Sequence, residues 1–313
     1  MSILWTARLP FRYSLLCRDS MKNTIIMSIF LVVLISGCTG FPGVDHTGAG
    51  FLGFGEPDYT EHEEISIDVE TFPTSVRSGR NMDVVFDLVN SGNTTPENIQ
   101  LRMVDICSFQ GLTEPDSVDD KLEPGDKTIL DFEYQAPEVS MGKRCDMKYR
   151  VSYESLAHAT FSVNIMDEDE YITRERMGNL AEESNVRYEK TRTPVEIVAE
   201  ISQEQPILEG DDFLVHIHLE NKGDGFVVDN VIEGGDVEMY YPDDILEFGG
   251  CQDMDTDDKP IVFEDMRFRN GRTPRVSCRF STDSVDLVET ATFRMDVDYT
   301  YVKDGSFFVN IEP

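Results

Sequence analysis

Residues 83–93 read DVVFDLVNSGN and residues 214–224 read LVHIHLENKGD. In both stretches apolar and polar residues alternate, and both close on Asn-x-Gly followed by Asn or Asp. A period of two is the signature of a strand with one buried face, and the closing residues are turn formers. Upstream, Ile65, Ile67 and Val69 alternate in the same way, as do Val195, Ile197, Ala199 and Ile201, and each run leads to a glycine turn at Gly79 or Gly210. Downstream, YRVSYESLAHATFSVNI (149–165) matches MDVDYTYVKDGSFFVNI (295–311). The chain thus contains one unit twice. Six or seven short strands within 62–166 predict a two-sheet sandwich, so the expected fold class is all-β, with tandem β-sandwich domains at 62–166 and 194–313.

Asn90-Ser91-Gly92-Asn93 and Asn221-Lys222-Gly223-Asp224 resemble the strand-ending turn of CARDB-type and related immunoglobulin-like domains of prokaryotic surface proteins. Leu122-Glu123-Pro124-Gly125-Asp126 resembles the L-x-P-G-[DE] turn of the same domains, and the second copy shows no clean counterpart. The resemblance covers most of 62–312. It implies adhesion, spacing or protein-binding roles outside the cell, and it brings no catalytic residues.

Between the copies, 167–193 opens with acids and closes with Arg187, Lys190 and Arg192, a distribution that suits a helix dipole. Ile172, Met177, Leu180 and Ala181 would form its narrow apolar stripe, with Gly178 inside it, so a short helix docked at the domain junction is expected. Four cysteines outside the N-terminal region, Cys107, Cys145, Cys251 and Cys278, allow three pairings. The repeat selects Cys107–Cys145 and Cys251–Cys278, one bridge per copy. Four reduced, buried thiols are the competing reading.

The N-terminus predicts export. Ile25–Ile35 is an apolar run, too short to span a bilayer and of signal-peptide size. It ends in Leu34-Ile35-Ser36-Gly37-Cys38, which resembles the lipobox of bacterial and archaeal lipoproteins. That resemblance implies lipidation of Cys38, cleavage after residue 37 and anchorage on the outer face of the cell membrane. Met21-Lys22-Asn23 is itself a good signal-peptide start, so 1–20 is read as an upstream mis-start or an extended n-region, and the glycine-rich stretch 38–61 as a tether.

The chain carries 60 acidic and 27 basic residues, a net charge of −33. A charge of that sign repels phosphate backbones, which argues against nucleic acid as a partner. Asp253, Asp255 and Asp257 alternate, and Glu264 falls at the twelfth position counted from Asp253. These are candidate calcium ligands, the one cofactor expectation. An EF-hand is disfavoured by Asp258 where it needs glycine and by Pro260, which leaves a looser calcium loop or a solvated acidic loop. Arg267, Arg269, Arg272, Arg275 and Arg279 flank Asn270-Gly271, a hairpin signal. They either neutralise nearby aspartates or present forks to a carboxylate partner. His216 and His218 share one strand face with no obvious third metal ligand, and Asn93-Thr94-Thr95 is a glycosylation sequon.

The chain shows no G-x-S-x-G turn, phosphate-binding glycine loop or H-E-x-x-H helix, so a non-enzyme is expected. The expected role is a binding, adhesion or envelope-structural module facing an extracellular or envelope protein. Two alternatives stand beside it: an accessory subunit of a membrane transport or secretion complex, and a calcium-dependent adhesin.

Overall fold

The computed structural model describes residues 62–112, 121–179, 187–252 and 259–313. Cys38, the apolar run at 25–35 and Asp253, Asp255 and Asp257 lie outside the described residues. All described residues fall within one compact unit. The first copy supplies β1 (Ile65–Phe72), β2 (Ser75–Arg77), β3 (Asn81–Asn90), β4 (Glu97–Asp105), β5 (Gln110–Gly111), β6 (Lys127–Gln135) and β7 (Lys143–Met166). Helix α1 (Glu168–Met177) and β8 (Tyr188–Lys190) follow. The second copy supplies β9 (Val195–Ile201), β10 (Ile207–Leu208), β11 (Asp212–Asn221), β12 (Phe226–Val227), β13 (Val231–Ile232) and β14 (Val237–Tyr240). It ends with β15 (Leu246–Cys251), β16 (Ile261–Val262), β17 (Met266–Arg267), β18 (Val276–Thr282) and β19 (Val288–Glu312).

The protein is all-β and sandwich-like. One four-stranded sheet runs β1-β3-β6-β5 and its counterpart runs β15-β18-β11-β9. Both pack on the same face of a nine-stranded sheet built around β7 and β19. Along β7 every odd residue from Cys145 to Ile165 is buried, and β19 alternates in the matching phase. Phe86 of β3 meets Tyr149 and Phe307 of the large sheet edge-on or nearly so, at 5.1 and 6.0 Å. Phe213 and Phe280 of the other small sheet meet Phe293 of β19 at 6.5 and 5.1 Å.

Two sandwiches strung on a linker were expected; instead the copies lie side by side through one shared sheet. β7 and β19 pair antiparallel from Lys143↔Ile311 to Met166↔Val288. The alignment of 149–165 on 295–311 matches Glu154 to Thr300, and those two residues face each other in the ladder. An approximate two-fold axis therefore passes through the middle of the sheet. The small strands obey it too: β2 joins the end of β19 in parallel, and β10 joins the end of β7 in parallel.

The Asn-x-Gly turns are built alike. Asn90 Nδ2 donates to the carbonyls of Thr94 (2.7 Å) and Leu122 (2.8 Å), while its Oδ1 accepts from the Gly92 N–H (2.9 Å). Asn221 repeats this with the Gly225 carbonyl (2.8 Å) and the Gly223 N–H (3.2 Å). Glycine is required at 223, because a Cβ there would lie 2.4 Å from the Tyr301 hydroxyl. The L-x-P-G-D turn docks on the first of these asparagines, with the Gly125 N–H donating to the Asn90 carbonyl (2.9 Å). In the second copy Asn270-Gly271 takes that place: the Asn221 N–H donates to the Gly271 carbonyl (2.8 Å), and both turn residues have positive φ. The missing counterpart is thus present as a two-residue hairpin loop, a substitution no sequence match would register.

The inter-domain segment differs from expectation. Asp167 caps α1 through its side chain (3.0 Å to the Glu170 N–H), and Gly178, at φ 73°, terminates the helix. No residue of α1 is buried, and Met177 is 67% exposed, so the helix has no docked apolar stripe; Leu180 and Ala181 lie outside the described residues. Tyr188–Lys190 form a strand against β7, so the basic residues there serve no helix end.

Both disulfides are formed, Cys107–Cys145 and Cys251–Cys278, closing sequence separations of 38 and 27 residues.

Candidate ligand groove on the shared sheet

The face of the large sheet turned away from the two small sheets carries a groove of about 570 Å³ beside the approximate two-fold. Its floor is set by register. Arg102 of β4 pairs with Arg150 of β7, and Arg150 pairs with Asp304 of β19, so the three side chains form one row across three strands. The next row is Gln100, Ser152 and Val302, continued by Phe226 of β12. Thr300 closes one end, while Val228 and Asp229 form a lip. Asp229 and Asn230 both adopt left-handed backbone conformations, at φ 54° and 55°, held by the Phe268 N–H on the Asn230 carbonyl (2.8 Å). Non-glycine residues in that region are uncommon and concentrate where structure serves a site.

Arg150 grips Asp304 with two hydrogen bonds, of 2.6 and 2.8 Å, and its guanidinium lies 5.7 Å from the Phe226 ring centre. The same pairing holds the Asp304 carboxyl below its ordinary range. Arg102, exposed, has no ion-pair partner among the described residues. Like charges directly opposite on a sheet repel, and both guanidinium charges act on the one Asp304 carboxylate. The two-fold counterpart of this row is Glu238, Asp296 and His158, with His158 Nδ1 2.6 Å from Asp296 Oδ1. The cationic row therefore belongs to one half only.

A second polar feature lies on the buried side of the same ribbon. Glu64, fully buried just before β1, accepts hydrogen bonds from Thr94 and from Ser155 Oγ (2.9 Å), while its Oε2 has no partner among the described residues. Burial pushes its pKa up from 4.5 to about 7. The folded chain thus keeps this proton up to about pH 7, whereas the unfolded chain releases it near pH 4.5. Stability from this group is complete below pH 4.5, falls as pH rises towards 7 and stays lower above it. The difference amounts to about 3 kcal/mol. Glu64→Gln, neutral at every pH, is expected to match the parent near pH 4 and to exceed it by up to about 3 kcal/mol at pH 8. Urea titrations at the two pH values check this; equal stability gaps at both would disprove it. Glu64 was invisible in the sequence because it sits in an acidic run beside Glu63, a residue that pairs with Lys303.

The sequence-derived candidates are dispersed. Arg267 pairs with Asp265 (3.5 Å), Arg272 with Glu220 and Arg275 with Glu200, all partners within the second copy. Arg269 contributes backbone bonds to the Asn270-Gly271 hairpin, and the Arg279 stem lies over Gly249. Glu264 is exposed. Among the described residues no group of three or more His, Cys, Asp and Glu is placed to hold a metal. His216 bonds Ser277 Oγ (2.8 Å) and His218 bonds Glu220 (3.1 Å), so the two rings serve different partners. Asn93 is exposed, and its Oδ1 accepts from the Arg192 N–H (2.6 Å); Thr95 donates to Glu123 (3.0 Å). The groove residues went unremarked because isolated polar residues on a strand face carry no motif.

No protein-family model and no curated protein matches the chain. Among solved structures it is similar to the secreted serine protease VesC from Vibrio cholerae, at 11% identity and a TM-score of 0.18, a likeness too slight to carry an argument. The match covers 74% of this chain and 48% of that one, so the chain spans about half of that protein's length.

Proposed function

We propose that the chain is an exported lipoprotein, anchored through Cys38 outside the cell membrane, whose paired immunoglobulin-like halves serve as a binding module and not as an enzyme. The observation that carries this reading is the groove: a mixed apolar and polar concavity of ligand size, with an exposed guanidinium that makes no ion pair among the described residues and no nucleophile–base pair among its lining residues. Two disulfides support the location, since such bridges persist in oxidising compartments. The lipobox-like 34–38 and the CARDB-like turns at 90–93 and 221–224 agree with it.

Intact-mass analysis of the protein extracted from native membranes tests the proposal. The expected mass starts at a lipid-modified Cys38 and rises by four hydrogens when the two bridges are reduced. An unmodified N-terminus ahead of Cys38 with four free thiols would refute export. Purification in mild detergent then separates the binding module from a transport or secretion subunit, which would come with a stoichiometric membrane partner.

A further inference from the structure

We infer that the groove recognises an acidic oligosaccharide, with Arg102 holding a uronate carboxylate and Phe226 backing a sugar ring; this rests on the reading of the chain as a binding module. Several observations carry the ligand class. The row Arg102–Arg150–Asp304 has one more cation than anion, within a protein of net charge −33. Arg150 is already committed to Asp304 and stands fixed, so Arg102 offers the open planar fork that fits a carboxylate.

The floor and lip supply Gln100, Ser152 and Thr300 together with the Asp229 carboxylate, an anion at the lip, all of which pair with hydroxyls, while Phe226 and Val228 give apolar surface for a ring face. Beneath the floor β7 and β19 are paired on both sides, whereas β4 and β12 are paired on one side only. An extended peptide adds to a sheet through free backbone groups at an edge, which here lie on the outer sides of β4 and β12 and not across this floor. Side chains alone must do the recognising, which favours a glycan. The volume, about 570 Å³, is in the range that holds a small ligand or a few sugar units. Finally, the two-fold related row of Glu238, Asp296 and His158 carries the opposite sign, so a single acidic ligand binds per chain.

The test is calorimetric titration of the full-length protein in detergent with trigalacturonic acid, its neutral methyl ester and hexaglutamate. The acid is expected to bind, the ester to bind at least about tenfold more weakly, and hexaglutamate to give no saturable signal. Arg102→Gln should weaken binding of the acid by about tenfold or more, with an unchanged melting temperature because Arg102 is exposed and unpaired. Phe226→Ala should weaken acid and ester alike. Arg144→Gln, outside the groove over Phe308, should change nothing.

No saturable signal from the acid at millimolar concentration overturns the proposal, as does equal affinity for the ester or indifference to Arg102→Gln. Tighter binding of hexaglutamate replaces the glycan with an acidic peptide. If Arg102→Gln fails to fold, the acid-against-ester comparison on the native protein still decides. Cross-linking on intact cells separates the two levels: capture of a protein partner alone removes the glycan and keeps the binding module, whereas loss of the lipid-modified Cys38 mass removes the surface reading itself.

Discussion

Replacing Phe280 by alanine is expected to destabilise the protein by about 3–5 kcal/mol, and to do so in one cooperative transition. Phe280 is completely buried in β18 and touches four rings: Phe213 at 5.8 Å, Tyr241 at 5.3 Å, Phe248 at 5.4 Å and Phe293 at 5.1 Å. Phe293 belongs to β19, so the side chain joins the second small sheet to the shared one. Its removal loses the transfer free energy of the ring and leaves a cavity that surrounding aromatics, themselves fixed by strand registers, fill only in part. The shape of the unfolding curve is the sharper readout. Because β7 and β19 run together over their whole lengths, neither half can lose its large-sheet layer without stripping the other. A single transition moving to lower urea is expected by both fluorescence and circular dichroism. Two transitions, only one of which moves, would mean that the halves unfold as separate domains.

Removing either disulfide should cost about 4 kcal/mol, the scale set by closing loops of this length in the unfolded chain. The separations of 38 and 27 residues differ too little for the entropic effect to distinguish the bridges by more than a few tenths of a kcal/mol. Their structural settings differ more. Cys145 opens β7 and ties the loop after β4 to the shared sheet, whereas Cys251 and Cys278 are direct partners across β15 and β18, at the edge of a small sheet. Cys107→Ala/Cys145→Ala and Cys251→Ala/Cys278→Ala, each compared with the oxidised parent by urea unfolding, provide the measurement. Similar losses indicate that the unfolded state is what the bridges constrain. A loss below about 1 kcal/mol for the second pair would show that the β15–β18 ladder holds that edge without help.

The long strands were individually readable, though not their arrangement, and the reason is alternation. A strand with one buried face must place apolar residues at every second position, and a repeat doubles the signal, so DVVFDLVNSGN and LVHIHLENKGD identified their own strands and the turns after them. The disulfide pairing followed from the same repeat. The helix was located but misread: a stretch with no buried face has no periodic constraint, so Gly178 was placed inside α1 when it forms the end. Register across copies was not readable, because alternation states which face a residue takes and not which strand lies beside it.

The sequence by itself pointed to the long strands, the repeated strand pattern, the asparagine turns and, through the repeat, one of the three cysteine pairings, all of which depend on local patterning or on comparing one half with the other. Only the tertiary structure decided that the copies share a sheet, that Glu64 is sealed within it and that Arg102, Arg150 and Asp304 stand in one row. Those three residues lie far apart in the chain and become neighbours solely through the pairing of β4, β7 and β19. That pairing is chosen by the summed burial of two long strand faces, a quantity no single residue or motif records.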